Sequence, residues 1–299
     1  MNIIGKKYWY LIFSAIIIIP GLASLFLYGL NLSIEFTGGS RLTLVFEKNI
    51  TEKDISQIKN VFEENNVKVS ALEKSDKTIF VKTAPLDQKK DAEIVNALKE
   101  KVGNFNQAEY ETVGPIIGSE ITLNAIKAIV IASLLIVLYI TWSFRQVPKP
   151  ASSLRFGVAA IAALIHDVFL LLGIFSILGH FFGVEIDSLF VTAVLTVIGF
   201  SVHDTIVVFD RIRENLKRMG SGNFSAVVND SILQTFDRSL NTSLTVVLVL
   251  FTLLLFGGDT IRWFVVALLI GIISGTYSSI FNAAPLLVIW QEVVDKRRK

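Results

Sequence analysis

Three places in this sequence put ionisable side chains into otherwise apolar stretches. His166-Asp167 sits in the middle of one such stretch, His203-Asp204 lies within Gly199–Thr205, and Arg238 opens another inside QTFDRSLNTS. Charged groups inside a membrane span are costly and mark ion or proton pathways. The chemistry they offer is reversible protonation. Desolvation favours the neutral acid and a nearby guanidinium favours the carboxylate, so a carboxyl group alternating between such surroundings loads and releases a proton. Asp204 is the sharpest candidate. It falls about six residues past the midpoint of its stretch, roughly 9 Å toward one end and still within hydrocarbon. Arg238, with hydroxyls such as Thr242 and Thr245, supplies alternating partners if the two segments pack together. The plainer reading is a static Asp–Arg pair that holds two helices. For His166-Asp167 a helix–helix hydrogen bond is at least as good a reading as a relay, because adjacent helical residues project about 100° apart. His203 shares that ambiguity.

Other chemistry is poorly supplied. The chain has no Cys, which removes disulfides, thiolate metal sites and cysteine nucleophiles. With 3 His and no HExxH-type cluster, no metal site is expected, and no cofactor motif or covalent catalysis is expected either. A formal net charge of +2 gives no reason to expect a nucleic-acid partner.

The elements that must position these residues are membrane spans. Of 299 residues 52% are hydrophobic and 18% charged, against about 25% charged in an average soluble domain. Mean hydropathy is +0.60. Charge is unevenly placed: 12 of the 28 Lys and Arg and 15 of the 26 Asp and Glu fall within the 92 residues from Asn31 to Thr122. One polar domain is therefore embedded in an apolar chain. Tyr8–Tyr28 carries no charge and is long enough to span the roughly 30 Å hydrocarbon core as a helix. Further spans are expected at about Ile121–Trp142, Phe156–Leu178, Ile186–Phe209, Leu240–Phe256 and Arg262–Trp290. Lys6 and Lys7 before the first would also suit a signal peptide, but its apolar run is longer than a signal core, which favours an uncleaved anchor. With six spans, every strongly basic segment lands on one side: Lys6 and Lys7, then Arg145, Lys149 and Arg155, then Arg211, Arg213, Lys217, Arg218 and Arg238, and the tail Lys296–Lys299. By the positive-inside rule both termini are cytoplasmic and the polar segment lies outside. The basic Asp210–Arg218 helix end suits a partner, anionic lipid or plain solvent equally.

The expected domains are residues 1–30 (terminus and first span), 31–120 (an extracytoplasmic domain) and 121–299 (the remaining spans, loops and tail). Within the second, Ser40–Glu47 alternates as a strand and Thr51-x-x-Asp54 opens a helix with a capping box, burying Ile55, Ile58, Val61 and Phe62. Val67–Glu73 and Thr78–Thr83 read as strands. Asp87–Val102 reads as a helix burying Ala92, Val95, Leu98 and Val102, and Gln107–Val113 as a last strand. The order βαββαβ predicts a ferredoxin-like α+β fold. Two glycine-rich flanks frame it: Gly38-Gly39 before the first strand, and Gly114-Pro115 with Gly118 leading into span two. No GK[ST] follows either, so neither is a phosphate loop. They are tight turns at a domain–membrane junction or hinges, with equal weight. In the last span Gly271, Gly275 and Ser279 form a small-residue stripe suited to close helix packing, internal or between subunits.

The stretch Ile198–Asn215 (IGFSVHDTIVVFDRIREN) resembles the SecF branch of the SecD/SecF family of protein-export membrane proteins, within the resistance-nodulation-division (RND) superfamily. The resemblance takes in Ile34–Gly39, Val113-Gly114-Pro115 with Gly118 and Glu120, His166-Asp167, Gln234–Ser243 and Gly275–Ser279. The chain has Glu35-Phe36-Thr37-Gly38-Gly39 where the family often has Asp-Phe-x-Gly-Gly, and His203 where Asn commonly precedes the aspartate. The resemblance implies a six-span RND-type half that pairs with SecD in the bacterial plasma membrane. The implied partners are the SecYEG channel, a YajC-type accessory subunit and preprotein substrates, with transport driven by proton flow. It also implies that Asp204 matches the family's proton-carrying aspartate and Arg238 its functionally important arginine. Two rival readings remain at this point: a scaffold that transduces nothing, and half of a small-molecule RND exporter, for which an outer domain of 92 residues is small.

Overall fold

The computed structural model describes residues 2–145, 147–148, 152–219 and 223–298; Lys149 and Lys299, counted above for orientation, lie outside them. In chain order the helices are α1 Lys7–Tyr28, α2 Ile34–Thr37, α3 Glu52–Glu64, α4 Gln88–Val102, α5 Pro115–Ser143, α6 Ser153–Phe182, α7 Ser188–Met219, α8 Phe224–Phe256, α9 Asp259–Ser278 and α10 Ala284–Arg298. The strands are β1 Gly39–Phe46, β2 Val69–Ser75, β3 Thr78–Thr83 and β4 Phe105–Val113. Two compact units result, Met1–Asn31 with Lys127–Lys299, and Leu32–Ile126.

The Leu32–Ile126 unit is a four-stranded antiparallel sheet in the order β2-β3-β1-β4, with α3 and α4 packed together, which is the ferredoxin-like arrangement. The period-2 alternation of β1 and β3 sends Leu42, Leu44, Phe46, Ile79 and Val81 into the core. There they meet Ile58 and Phe62 of α3 and Ile94 and Leu98 of α4. The α4 stripe differs by one residue from expectation: Ile94 is buried and Ala92 is exposed, because rotating the helix toward the larger side chain removes more apolar surface from water. α3 opens with the expected capping box. The Thr51 hydroxyl accepts from the Asp54 N–H at 3.3 Å, and Asp54 Oδ2 accepts from the Thr51 N–H at 2.8 Å. That backbone donation, followed by the Thr51 hydroxyl and Lys48, holds the Asp54 carboxyl below its ordinary range.

Among the described residues six helical stretches are long and apolar enough to cross a membrane, the last running from α9 through a π-helical turn (Ser279–Ala283) into α10. The chain is a multi-pass membrane protein. The helices are longer than the spans read from hydropathy. Residues 215–219 are the end of α7 and 224–236 the start of α8, with Asn223 capping α8 by accepting from the Ala226 N–H. No Pro or Gly interrupts 224–256, so α8 continues without a break and buries Val227, Val228 and Ile232. Glycine seams bring helix backbones together where hydrocarbon supplies no hydrophobic drive. A Cβ on Gly21 of α1 would lie 2.9 Å from Gly173 Cα of α6. Phe144, Phe156 and Phe209 form an aromatic cluster with centroids 4.9–5.9 Å apart. α5 by contrast buries only Gly118 and Ile140 among its residues.

Candidate functional site: two buried carboxylates

The membrane unit holds two carboxylates that are almost wholly buried: Asp167 on α6 at 1% exposure and Asp204 on α7 at 2%. Both are reached by α9, whose hydroxyls alternate between them. Ser274 and Ser278, four residues apart and so on one face of the helix, turn toward Asp167. Thr276 turns toward Asp204.

Asp204 Oδ2 accepts from Thr276 Oγ1 at 3.2 Å and from Ser243 Oγ of α8 at 3.4 Å, and these two hydroxyls are 2.5 Å apart. Among the described residues no Lys or Arg pairs with it. The expected partners Arg238 and Thr242 sit elsewhere on α8: both are exposed, and the Thr242 hydroxyl donates to the Arg238 carbonyl at 2.9 Å. Thr245 likewise donates to the Thr242 carbonyl. The reason is rotation about the helix axis. With Ser239 and Ser243 turned inward, Arg238 and Thr242 face out. His203 is exposed while Asp204 is buried, as the 100° step between neighbours requires.

Asp167 is held differently. Its Oδ1 accepts from Ser274 Oγ at 2.7 Å and faces His166 Nδ1 at 3.0 Å; its Oδ2 accepts from Ser201 Oγ and Ser278 Oγ, each at 2.6 Å. The adjacent His and Asp touch each other, while the bonds to other helices are those of Asp167 to serines of α7 and α9. The serine-lined seam continues through Thr205 and Ser279, 2.9 Å apart, to Asn282 in the π turn, which bonds Ser14 of α1. π turns inside α-helices recur at functional sites.

The stripe Gly271-Gly275-Ser279 makes this seam possible, and its contact is internal, with α7. A Cβ on Gly275 would lie 3.0 Å from Ser201 Cβ, and the Ser279 hydroxyl donates to the Gly275 carbonyl at 2.7 Å. Ser274 and Ser278 stand beside the Gly271–Ser279 stripe in the sequence, but that they and the hydroxyls at 201, 243 and 276 bond the carboxylates was not expected. The one signal for them is the i,i+4 spacing of Ser239 with Ser243 and Ser274 with Ser278.

In the smaller unit, Gly38 and Gly39 have φ of +71° and +133°, which L side chains rarely adopt. The Gly38 Cα region abuts Pro115, and a Cβ on Gly118 would lie 2.9 Å from Gly38 N and Phe36 O. Thr122 Oγ1 donates to that same Phe36 carbonyl at 3.3 Å. These residues form a tight seam with the first turns of α5, whereas Gly114 has open space around it. On Asp210–Arg218 of the membrane unit, Arg213 bonds Asp210, and Glu214 takes both Arg211 and Arg218.

Six apolar helices with a ferredoxin-like domain between the first two make up the architecture of an RND-type half. Residues 93–293 match the family described as protein export membrane protein SecD/SecF, C-terminal, and residues 23–50 match the SecD/SecF GG motif. Among curated relatives, protein translocase subunit SecF of Thermobaculum terrenum is 46% identical, covering 97% of this chain and 94% of that protein. Protein translocase subunit SecDF of Bacillus subtilis is 34% identical over 96% of this chain but only 38% of its own length. The crystal structure of SecDF from Thermus thermophilus superposes with a TM-score of 0.83 at 33% identity, covering 98% of this chain and 39% of that one. The chain belongs to the SecD/SecF family of protein-export membrane proteins, and spans about two fifths of its SecDF relatives.

Proposed function

We propose that this chain works with a SecD-type half to couple proton flow to preprotein translocation and release across the plasma membrane. In this reading both termini are cytoplasmic and residues 31–120 lie outside. The observation that carries it is Asp204: a carboxyl group 2% exposed inside a membrane bundle, held by two hydroxyls, with no Lys or Arg paired to it among the described residues. Hydroxyls both donate and accept, so they serve the charged and the neutral carboxyl alike. A group so placed changes charge when its surroundings change. One charge crossing a 100 mV potential yields about 2.3 kcal/mol, enough to bias a two-state element.

The partner half follows from what is left uncovered. His203, Asp237, Arg238, Asn241 and Thr242 are exposed on α7 and α8, and polar groups facing hydrocarbon need a protein or water-lined neighbour. A SecD-type half meets that need, bringing Arg238 a carboxylate or Asp204 its cation in one state of the cycle. The SecYEG channel and a YajC-type subunit are the further partners of this reading, with preprotein as substrate. No cofactor or covalent step is required. The test is Asp204→Asn in membrane vesicles holding the complete export machinery. Proton-driven preprotein release should be lost while the complex still assembles and the ATP-driven step persists. Wild-type release with intact assembly would leave a scaffold role in its place.

A further inference from the structure

The second buried centre has a hydrogen-bond inventory that leaves one atom over. An ionised carboxylate offers about four lone-pair sites, and Asp167 fills them with three serine hydroxyls and His166 Nδ1. With Asp167 ionised the carboxylate accepts, and His166 Nδ1 carries the hydrogen. In the neutral imidazole this fixes the tautomer and leaves Nε2 a bare acceptor. That Nε2 is buried and has no hydrogen-bond partner among the described residues. Buried polar atoms are nearly always partnered, and an exception calls for a function.

The charge balance points the same way. With His166 neutral the cluster carries an uncompensated negative charge inside the membrane bundle, which is strongly unfavourable. A proton on Nε2 turns it into a neutral imidazolium–carboxylate pair without disturbing any of the four bonds to Asp167. Protonating Asp167 at Oδ1 keeps the His166 contact only if the imidazole hydrogen moves to Nε2, so either neutral arrangement places a proton on that nitrogen. The groups on helices packed against α6 do not supply the missing charge. α7 brings Ser201, with His203 exposed and Asp204 turned to Ser243 and Thr276. α9 brings Ser274 and Ser278, and its Tyr277 hydroxyl donates to the Tyr10 carbonyl of α1. Lys7 of α1 is bound to Glu292 of α10, Asp295 of α10 takes Gln291, and Tyr28 stacks on His180. The π turn holds no titratable residue.

We infer that His166 Nε2 is a second proton-binding site, oriented by Asp167 and separate from Asp204. This rests on reading Asp204 as the first. The two centres share α7 and α9, so a proton taken at one is felt by the helices that hold the other.

The chain has 3 histidines, which makes the test direct. Full-length protein carrying His180→Gln and His203→Gln, labelled with nitrogen-15 in histidine and placed in lipid nanodiscs, leaves His166 as the one signal. The expected result is an Nδ1-protonated, Nε2-bare imidazole at high pH. It should take up one proton as the solution is taken from basic to acidic pH. Asp167→Ala should abolish the preference for the Nδ1 tautomer, because no side-chain acceptor then faces Nδ1. A bare Nε2 throughout that range, or an Nε2-protonated tautomer at high pH, overturns the inference. Repeating the titration with Asp204→Asn separates the two readings: loss of proton-driven release with no His166 titration sinks this site alone, and a titrating His166 with unaffected release sinks the Asp204 reading alone.

Discussion

Gly271→Ala tests whether the small-residue stripe sets the geometry of both buried centres. A Cβ at Gly271 would lie 2.1 Å from Val197 Cγ2, 2.7 Å from Cγ1 and 2.9 Å from Cβ. Carbon atoms pack at about 3.5–4.0 Å, so roughly 1 Å or more of separation between α7 and α9 is required. Valine has one strongly preferred rotamer in a helix, and turning it would not move its own Cβ. The helices must part. Ser201 lies one turn beyond Val197, and Asp167 of α6 bridges α7 and α9 there by accepting from Ser201 at 2.6 Å and from Ser274 at 2.7 Å. Overpacking of this kind costs about 1–3 kcal/mol, and stretching a bond to a buried carboxylate adds a share of about 1.5–3 kcal/mol. A loss near 3 kcal/mol is expected in reversible unfolding in mixed micelles. The companion variant Val197→Ala removes both clashing methyls at its own cavity cost. The double variant should then be less destabilised than the sum of the singles by about 1 kcal/mol or more, the size of coupling seen between contacting residues. A strictly additive cycle, or a Gly271→Ala protein as stable as wild type, would refute the packing argument.

Asp54→Ala should cost about 1 kcal/mol, the usual worth of a helix cap, read as faster hydrogen exchange in α3. The Asp54 carboxyl is held low in the folded state, so its stabilisation is present above the ordinary carboxylate range and is lost as pH falls through the folded value. Acidification should therefore weaken wild type more than the variant. Asp91 has the opposite sign: burial pushes its carboxyl up, against hydrogen bonds from Gln107. Stability is lost as pH rises through that range, so Asp91→Asn should be at least as stable as wild type at neutral pH, and a clear drop in its thermal midpoint would contradict this. Gly118→Ala would press a Cβ onto Gly38 N and Phe36 O, backbone atoms with no rotamer to yield. It should cost about 1–3 kcal/mol and raise protease sensitivity around residues 33–39.

Much of the architecture was legible because its causes are local. A membrane span needs about 20 apolar residues, so hydropathy alone counts six of them. Strand alternation and the Thr51–Asp54 box likewise lay out βαββαβ. Span ends were less legible: α7 and α8 run past the hydrocarbon, where polar helix looks like loop.

The sequence by itself determined the number of spans, the element order of the polar domain, and that Asp204 and His166-Asp167 lie deep in apolar helix. Tertiary structure alone decided who meets them. Arg238 and Thr242 seemed natural partners along the chain, yet Ser243 and Thr276 hold Asp204, and serines from α7 and α9 hold Asp167. The physical reason is that a partner depends on how each helix is rotated and how closely it approaches, which contacts such as Gly271 on Val197 settle across distant parts of the chain. Inward hydroxyls also leave little trace in sequence. Thr276 bonds its own helix carbonyl at Ile272 as any helical threonine can, and only packing shows that the same oxygen also serves a carboxylate.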